Sequence, residues 1–256
     1  MTLRFDTTLA DSYSSKSQKI RVMSEYWVSQ NMYCPCCGNP HIDKLENNSP
    51  VADMQCDYCG EIFELKAKEG NVGKKINDGS YYTMIERITS STNPDLFVLS
   101  YSTDYYIISL TMIPKFFFVP QIIEKRKPLA PHARRAGWTG CNILYSNIPE
   151  QGKIDIIQNS QINTIEDVTA KYRKIKQLQT KKLDSRGWLL DVLNCVNEIP
   201  SEEFTLNDVY KYVDLLHQKH IHNNNVEAKI RQQLQFLRDK GFIQFLGRGR
   251  YRKCLS

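Results

Sequence analysis

Asp53, Glu64 and Lys66 lie within VADMQCDYCGEIFELKAK, residues 51–68, and together could hydrolyse a phosphodiester. That reaction uses a divalent cation to polarise the scissile phosphate and to lower the pKa of an attacking water. Carboxylate oxygens are hard donors that suit magnesium. EIFELKAK sets Glu64, Lys66 and Lys68 at alternate positions, so a strand here would project Glu64 and Lys66 from one face. The lysine would then stand beside the attacking water, helping to orient or deprotonate it and to neutralise charge growing on the phosphate. Asp53 is expected from a neighbouring strand beginning at Val51-Ala52, closing a magnesium site with Glu64; the peptide carbonyl of Leu65 is a further candidate ligand. By spacing alone the same residues also fit a solvated strand edge, since exposed charge is the default.

Cysteines are threaded through the same stretch. Cys34-Pro-Cys36-Cys37-Gly and Cys56-Asp-Tyr-Cys59-Gly form two knuckles, and Cys34, Cys37, Cys56 and Cys59 could surround zinc tetrahedrally. Four protein ligands leave no open position, which makes such a site structural. Cys36 is an extra thiol able to compete with Cys34 or Cys37, and His41 is an alternative ligand. Cys141, Cys195 and Cys254 have no partner spacing, and Cys195 falls on an apolar helix face. The second knuckle is expected at the tip of a hairpin joining the Asp53 and Glu64 strands. Zinc would then pin one acid in register with the other.

The elements that must hold these residues follow from periodicity. Residues 12–30 read as a helix with Ile20, Met23, Trp27 and Val28 on one face. SYYTMIERITS is a helix, LFVLSYSTDYYIISLTMIP two strands broken near Thr103-Asp104, and Lys153 to Gln158 a further strand. This order implies an α/β core reaching about residue 180. RGWLLDVLNCVNEI then has helical spacing, and Thr205 is an N-cap candidate for LNDVYKYVDLLHQKH. Asn223 to Asn225 precede a third helix that stops at Gly241. FIQFLGRGRYRKC makes a basic hairpin. Three helices and such a hairpin are a winged helix-turn-helix pattern. The expected domains are 1–180 and 181–256, with the boundary in residues 179–187.

Hydrophobic content of 41% with 24% charged residues over 256 residues excludes wholesale disorder. The net charge of +6 is uneven: Lys229 to Ser256 carries eight Lys or Arg against Asp239 alone, and a second basic cluster spans Lys171 to Arg186. Such blocks suit a polyanion. MTLRFDTTLADSY lacks an apolar signal core, and no stretch nears the roughly 20 apolar residues of a membrane span. The expectation is a soluble cytoplasmic protein in which thiols stay reduced and serve as metal ligands or core.

Taken together, Cys34-Pro-x-Cys37, Pro50-Val-Ala-Asp53, Cys56-x-x-Cys59, Glu64-Leu-Lys66, INDGSYYTM (76–84), RKPLAPHARRAGWTGCNI (126–143), SRGW (185–188) and IRQQLQFLRDKGFI closing on GRGRYRK resemble the DpnI-type methyl-directed restriction endonucleases. The resemblance covers nearly the whole chain. It implies a prokaryotic, magnesium-dependent type II enzyme that cuts double-stranded DNA at GATC when the adenine is methylated. It also implies an α/β PD-(D/E)xK catalytic domain with an inserted four-cysteine zinc site, followed by a winged-helix domain. Asp53, Glu64 and Lys66 fall on that family's catalytic set, and Cys34, Cys37, Cys56 and Cys59 on its zinc ligands. The departure is Cys36.

For DNA contact, residues near the start of the third helix would meet base edges: Asn223, Asn224, Asn225, Lys229, Arg231 and Gln232. Arg248, Arg250 and Arg252 would touch phosphates. In the first domain, ARRAGWTG places Trp138 beside Arg134 and Arg135 on a loop, either as core packing or as a wedge against the methyl group. His217, His220 and His222 read as solvated or phosphate-facing, Trp27 and Trp188 as core. The tyrosine pairs at 81–82 and 105–106 would be divided between core and surface. A monomer is expected, although one acid-acid-lysine set per chain allows either one subunit or two for a double-strand cut. Two other readings fit the same residues: a zinc-containing winged-helix regulator without catalysis, and a repair nuclease of the same fold.

Overall fold

The computed structural model describes residues 1–46, 52–90, 92–180 and 182–254. The chain forms two compact units, one of residues 1–146 and 151–175, the other of residues 147–150 and 176–256.

The first unit is a mixed α/β fold. α1 (Lys16–Asn31) buries Ile20, Met23, Trp27 and Val28, the expected face. It starts later than residue 12 because a capped 3-10 turn, Thr7–Ala10, and an extended Ser15 occupy the approach. β1 (Asp43–Lys44), β2 (Met54–Gln55), β3 (Ile62–Glu69) and β4 (Ile76–Ser80) precede α2 (Tyr81–Thr89). β5 (Asp95–Tyr101), β6 (Ile107–Ile113), β7 (Ile123–Lys125), β8 (Gly140–Ile143), β9 (Ile154–Gln158), β10 (Gln161–Ile162) and α3 (Ile165–Lys176) follow.

Seven strands make one sheet in the order β1-β2-β3-β5-β6-β9-β10. β3 and β5 pair in parallel, which requires a long crossover; β4 and α2 lie within it. Every residue of β5 is buried, as in a strand covered on both faces, and Phe97 stacks on Phe63 of β3 with ring centroids 4.8 Å apart. A second sheet, β4-β8-β7, was not expected from sequence. INDGS and GCNI are short and carry glycine and asparagine in place of apolar alternation, so no strand pattern marks them. The tyrosine pairs also differ from expectation. Tyr82 is 64% and Tyr106 49% exposed while Tyr81 and Tyr105 are half-buried, because Met84, Ile88, Tyr101 and Ile107 fill the core beside them.

The second unit begins with α4 (Leu183–Glu198), whose Trp188, Leu189, Val192, Leu193, Cys195 and Val196 are buried. β11 (Glu203–Thr205) leads into α5 (Leu206–Tyr210), α6 (Val213–Lys219), α7 (Val226–Asp239), β12 (Ile243–Gly247) and β13 (Arg250–Lys253). Thr205 caps α5 in a reciprocal capping box with Asp208, an arrangement worth about 1 kcal/mol. The single helix expected after Thr205 is divided: the Tyr212 amide bonds to Val209 O at 3.1 Å, tightening the turn and ending α5. Val209, Leu216, Ile230, Leu234 and Leu237 form the core, and the sheet order is β11-β13-β12. This is a helix-turn-helix domain with a wing. β11 was missed because three residues are too few to show a period.

His220 corrects the expectation of solvated histidines. It is buried, its Nε2 lies 2.9 Å from Asp191 Oδ2, and its ring stacks on Trp188 at 3.9 Å. Trp188 leaves an aromatic face that a planar ring fills, and Asp191 supplies the hydrogen-bond partner that a buried imidazole needs. His217 and His222 are exposed. Among the described residues no helix is long and apolar enough to cross a membrane.

Candidate metal centre and active site

The four paired cysteines converge. The Sγ atoms of Cys34, Cys37, Cys56 and Cys59 all lie within 4.8 Å of one another. Cys34 is 3.6 Å from Cys59 and Cys37 is 3.8 Å from Cys56. A tetrahedron with zinc–sulfur bonds of about 2.3 Å has edges of about 3.8 Å, so the donor set fits zinc in both chemistry and size. The backbone builds each half alike. Gly38 N donates to Cys34 O and Gly60 N to Cys56 O, both at 2.8 Å. Gly38 and Gly60 sit at φ +83° and +73°, where a side chain would be strained.

The extra thiol is accounted for by its neighbour. Cys36 is not one of the four converging sulfurs: its Sγ donates to Asp95 Oδ2 at 3.5 Å while staying in contact with Cys34. Asp95 is wholly buried and also accepts the Lys115 amide at 2.6 Å. Burial pushes its carboxyl up to about 7, with the Lys115 amide opposing the rise. His41 is not in the cluster.

The second knuckle connects β2 to β3, so the turn that carries Cys56 and Cys59 is the tip of an antiparallel hairpin. Asp53 immediately precedes β2, its amide donating to Phe63 O at 2.9 Å. The strand expected from Val51 is observed from Met54; Pro50 and Val51 lie outside the described residues. Asp53 Oδ2 accepts the Leu65 amide at 2.8 Å. A strand residue turns its N–H and C=O toward the same neighbour, so the Leu65 carbonyl leaves β3 on the Asp53 edge. Glu64 and Lys66 flank Leu65 on a common face, with Lys66 Nζ 2.6 Å from Glu64 Oε1. Asp53, Glu64 and Lys66 line one cleft of about 730 Å³, whose rim also carries Lys16, Arg21, Lys68 and Lys75. Two carboxylates and a peptide oxygen brought to one cleft are donors of the kind magnesium takes.

Three charged residues that sequence reasoning missed complete the surroundings. Asp78 of β4 lies 2.6 Å from Lys66 Nζ, and Arg87 of α2 lies 3.8 Å from Glu64 Oε2. Glu25 of α1 is buried on the cleft wall between Arg21 at 2.6 Å and Lys44 at 2.8 Å. No spacing rule marks Asp78, because its strand lies in the other sheet; its only signal was its place within INDGSYYTM. Burial raises the pKa of Glu64, with Lys66 opposing. Burial alone would lower that of Lys66, but Glu64 and Asp78 more than offset it, and the ammonium is held firmly protonated.

Trp138 is half-buried on the loop between β7 and β8, with the Arg135 guanidinium 4.6 Å above its ring. A side chain on Gly140 would meet the ring at 3.0 Å, so that glycine makes room for it. Arg134 and Arg135 are exposed. In the second unit, Asn224, Asn225, Arg231 and Gln232 are exposed about the start of α7, while Asn223 and Lys229 are partly covered. Asn223 Oδ1 accepts the Asn225 amide at 2.8 Å, which shapes the entry to the helix. Arg231 reaches the Tyr210 hydroxyl. Arg248 occupies the wing turn at φ +49°, between Gly247 and Gly249. Arg250 and Arg252 both pair with Glu203, at 3.0 and 2.6 Å.

Comparison with protein families matches both units. The Dam-replacing family profile covers residues 1–181, and the Dam-replacing HTH domain profile covers residues 184–253. The helix-turn-helix domain marks DNA as the partner. With the first profile spanning most of its length, the chain belongs to the DpnI-type Dam-replacing family of methylation-dependent restriction endonucleases.

Proposed function

We propose that this protein is a magnesium-dependent type II endonuclease of the PD-(D/E)xK class, cutting double-stranded DNA at GATC sites with methylated adenine, as a monomer. The observation that carries the reading is the hydrogen bond of Asp53 to the Leu65 amide. It ties one acid to the very strand from which Glu64 and Lys66 project, at the floor of a cation-rimmed cleft. Asp53, Glu64 and the Leu65 carbonyl would hold magnesium, and Cys34, Cys37, Cys56 and Cys59 structural zinc. Magnesium supplies Lewis-acid polarisation of the phosphate and a lowered pKa for the attacking water. Lys66, kept as an ammonium by its two carboxylate neighbours, orients that water and stabilises the negative charge that builds on the phosphate. Lys16, Lys68 and Lys75 on the rim give the backbone a positive track.

Methyl recognition needs more than one contact, because burying one carbon is worth only about 0.8 kcal/mol. Two readers solve this. Trp138, propped by Arg135, offers an aromatic face on the loop between β7 and β8, in the sheet that also carries Asp78. Asn224, Asn225, Lys229, Arg231 and Gln232 stand at the start of α7, the part of a recognition helix that meets base edges in the major groove. Arg134, Arg248, Arg250 and Arg252 would serve the phosphates.

Parallel digestion of adenine-methylated and unmethylated plasmid, with and without magnesium, tests the proposal. Cleavage only of methylated DNA, only with magnesium and only at GATC is the expected result. Binding without cutting in every condition would leave a winged-helix regulator. Equal cutting of both plasmids would leave a nuclease that does not read the mark.

A further inference from the structure

We propose that Asp78 is a positioning residue, whose carboxylate holds the Lys66 ammonium in place while Glu64 turns to the divalent cation. The inference rests on the reading above, since it concerns how that cation and the lysine share one acid.

Glu64 Oε1 lies 2.6 Å from Lys66 Nζ, so a cation at Glu64 competes with the ammonium for the same oxygen. The Lys66 ammonium is largely enclosed by the cleft, its side chain 26% exposed, so losing a carboxylate partner there carries a cost. Asp78 removes the difficulty. Its Oδ1 is already 2.6 Å from Lys66 Nζ, and its side chain is only 5% exposed. The carboxylate is fixed from its own backbone, Oδ1 also accepting the Gly79 amide at 2.7 Å. β4 is held in turn by β8, where Asp78 faces Cys141 beside a register shift.

The second oxygen points the same way. Asp78 Oδ2 is buried and has no hydrogen-bond partner among the described residues. A buried carboxylate oxygen without a donor is uncommon and calls for a reason. Lysine has three N–H donors, and the one released by Glu64 needs an acceptor. Oδ2 is that acceptor in waiting. Lys66 can therefore hand Glu64 to the cation, stay tethered through Asp78, and keep its third donor for the water or phosphate. Arg87 approaches the other oxygen of Glu64, so it does not stand in for Asp78.

The test is a double-mutant cycle read by manganese binding to the zinc-loaded chain, followed by calorimetry. Asp78→Asn should weaken manganese binding about tenfold in the native background and less than about twofold beside Lys66→Met, since coupling of this kind vanishes when the partner is gone. In single-turnover cleavage, Asp78→Asn should lower the rate while DNA affinity in calcium stays the same, the signature of a lost transition-state interaction. Equal weakening of manganese binding in both backgrounds would overturn the proposal, reducing Asp78 to a bulk charge. Asp78→Ser is carried in parallel with melting curves, so that whichever variant folds decides the matter. If Glu64→Ala binds manganese as tightly as the native chain, the cation reading itself fails and takes this inference with it.

Discussion

The cysteine cluster and the acidic cleft are neighbours on one hairpin, yet they are built on opposite plans. In the cluster, four identical donors are aimed by backbone turns, and the sulfurs already stand at tetrahedral distances. In the cleft each acid is engaged by the protein itself: Asp53 by the Leu65 amide, Glu64 by Lys66 and Arg87. A site that only has to hold a metal is finished by the main chain. A site that would have to bind, react and release, as proposed for the cleft, has its donors occupied by groups that can give way.

That contrast is open to attack in order of effect. Glu64→Ala should abolish cleavage, a loss of about 10³-fold or more given the several kcal/mol that a polarising cation contributes, while zinc content and melting temperature stay close to native. Plasmid nicking with metal analysis checks both halves. Cys56→Ser should do the converse, losing zinc and several kcal/mol of stability, and losing cleavage only because the hairpin no longer sets Asp53 against Glu64. If Cys56→Ser melted like the native chain and still cut DNA, the two sites would be independent.

The acid beneath the knuckle gives a pH test. Asp95 titrates near 7, above its ordinary 3.8, because burial disfavours its charge. Between those values the unfolded chain loses its proton and the folded chain keeps it, so stability falls as pH rises from about 4 to about 7 and stays lower above that. Asp95→Asn keeps an acceptor for the Lys115 amide and removes the penalty. Its stability relative to native should therefore improve on going from pH 4 to pH 8, by an amount on the order of 3 kcal/mol. Urea melts at the two pH values measure it, and a constant difference would mean that Asp95 ionises normally. The smallest effect belongs to the wing. Arg248→Ala should weaken DNA binding a few-fold for methylated and unmethylated duplexes alike and reduce the salt dependence by about one counterion. A selective loss for methylated DNA would move Arg248 from backbone contact to base reading.

What could be read from sequence was whatever repeats at a fixed short interval. The Cys-x-x-Cys pairs, the alternation of Glu64 and Lys66, the apolar face of α1 and the three-helix pattern after residue 183 are all local signals. The roles of Asp78, Arg87 and Glu25 at the cleft, and the pairing of β4-β8-β7, did not follow from spacing, for one reason. They enter the cleft through tertiary placement, and no periodicity in INDGS or GCNI announces a strand. His220 was misjudged similarly: only the fold places it against Trp188 and Asp191. Cys36 could not be separated from Cys34 and Cys37 until Asp95, distant in sequence, supplied its partner.

The small sheet carries one more implication. Its outer strand β4 bears Asp78, the loop between its other two strands bears Trp138, and Thr139 O at the end of that loop holds the Tyr81 amide just past β4 at 3.0 Å. The proposed methyl reader, Trp138, and the proposed holder of Lys66, Asp78, thus belong to the same three-stranded sheet. On the function proposed above, a duplex that seats badly on the loop would tug at the anchor of Lys66, so fidelity would be enforced after docking, by a stalled cut and not by a weak grip.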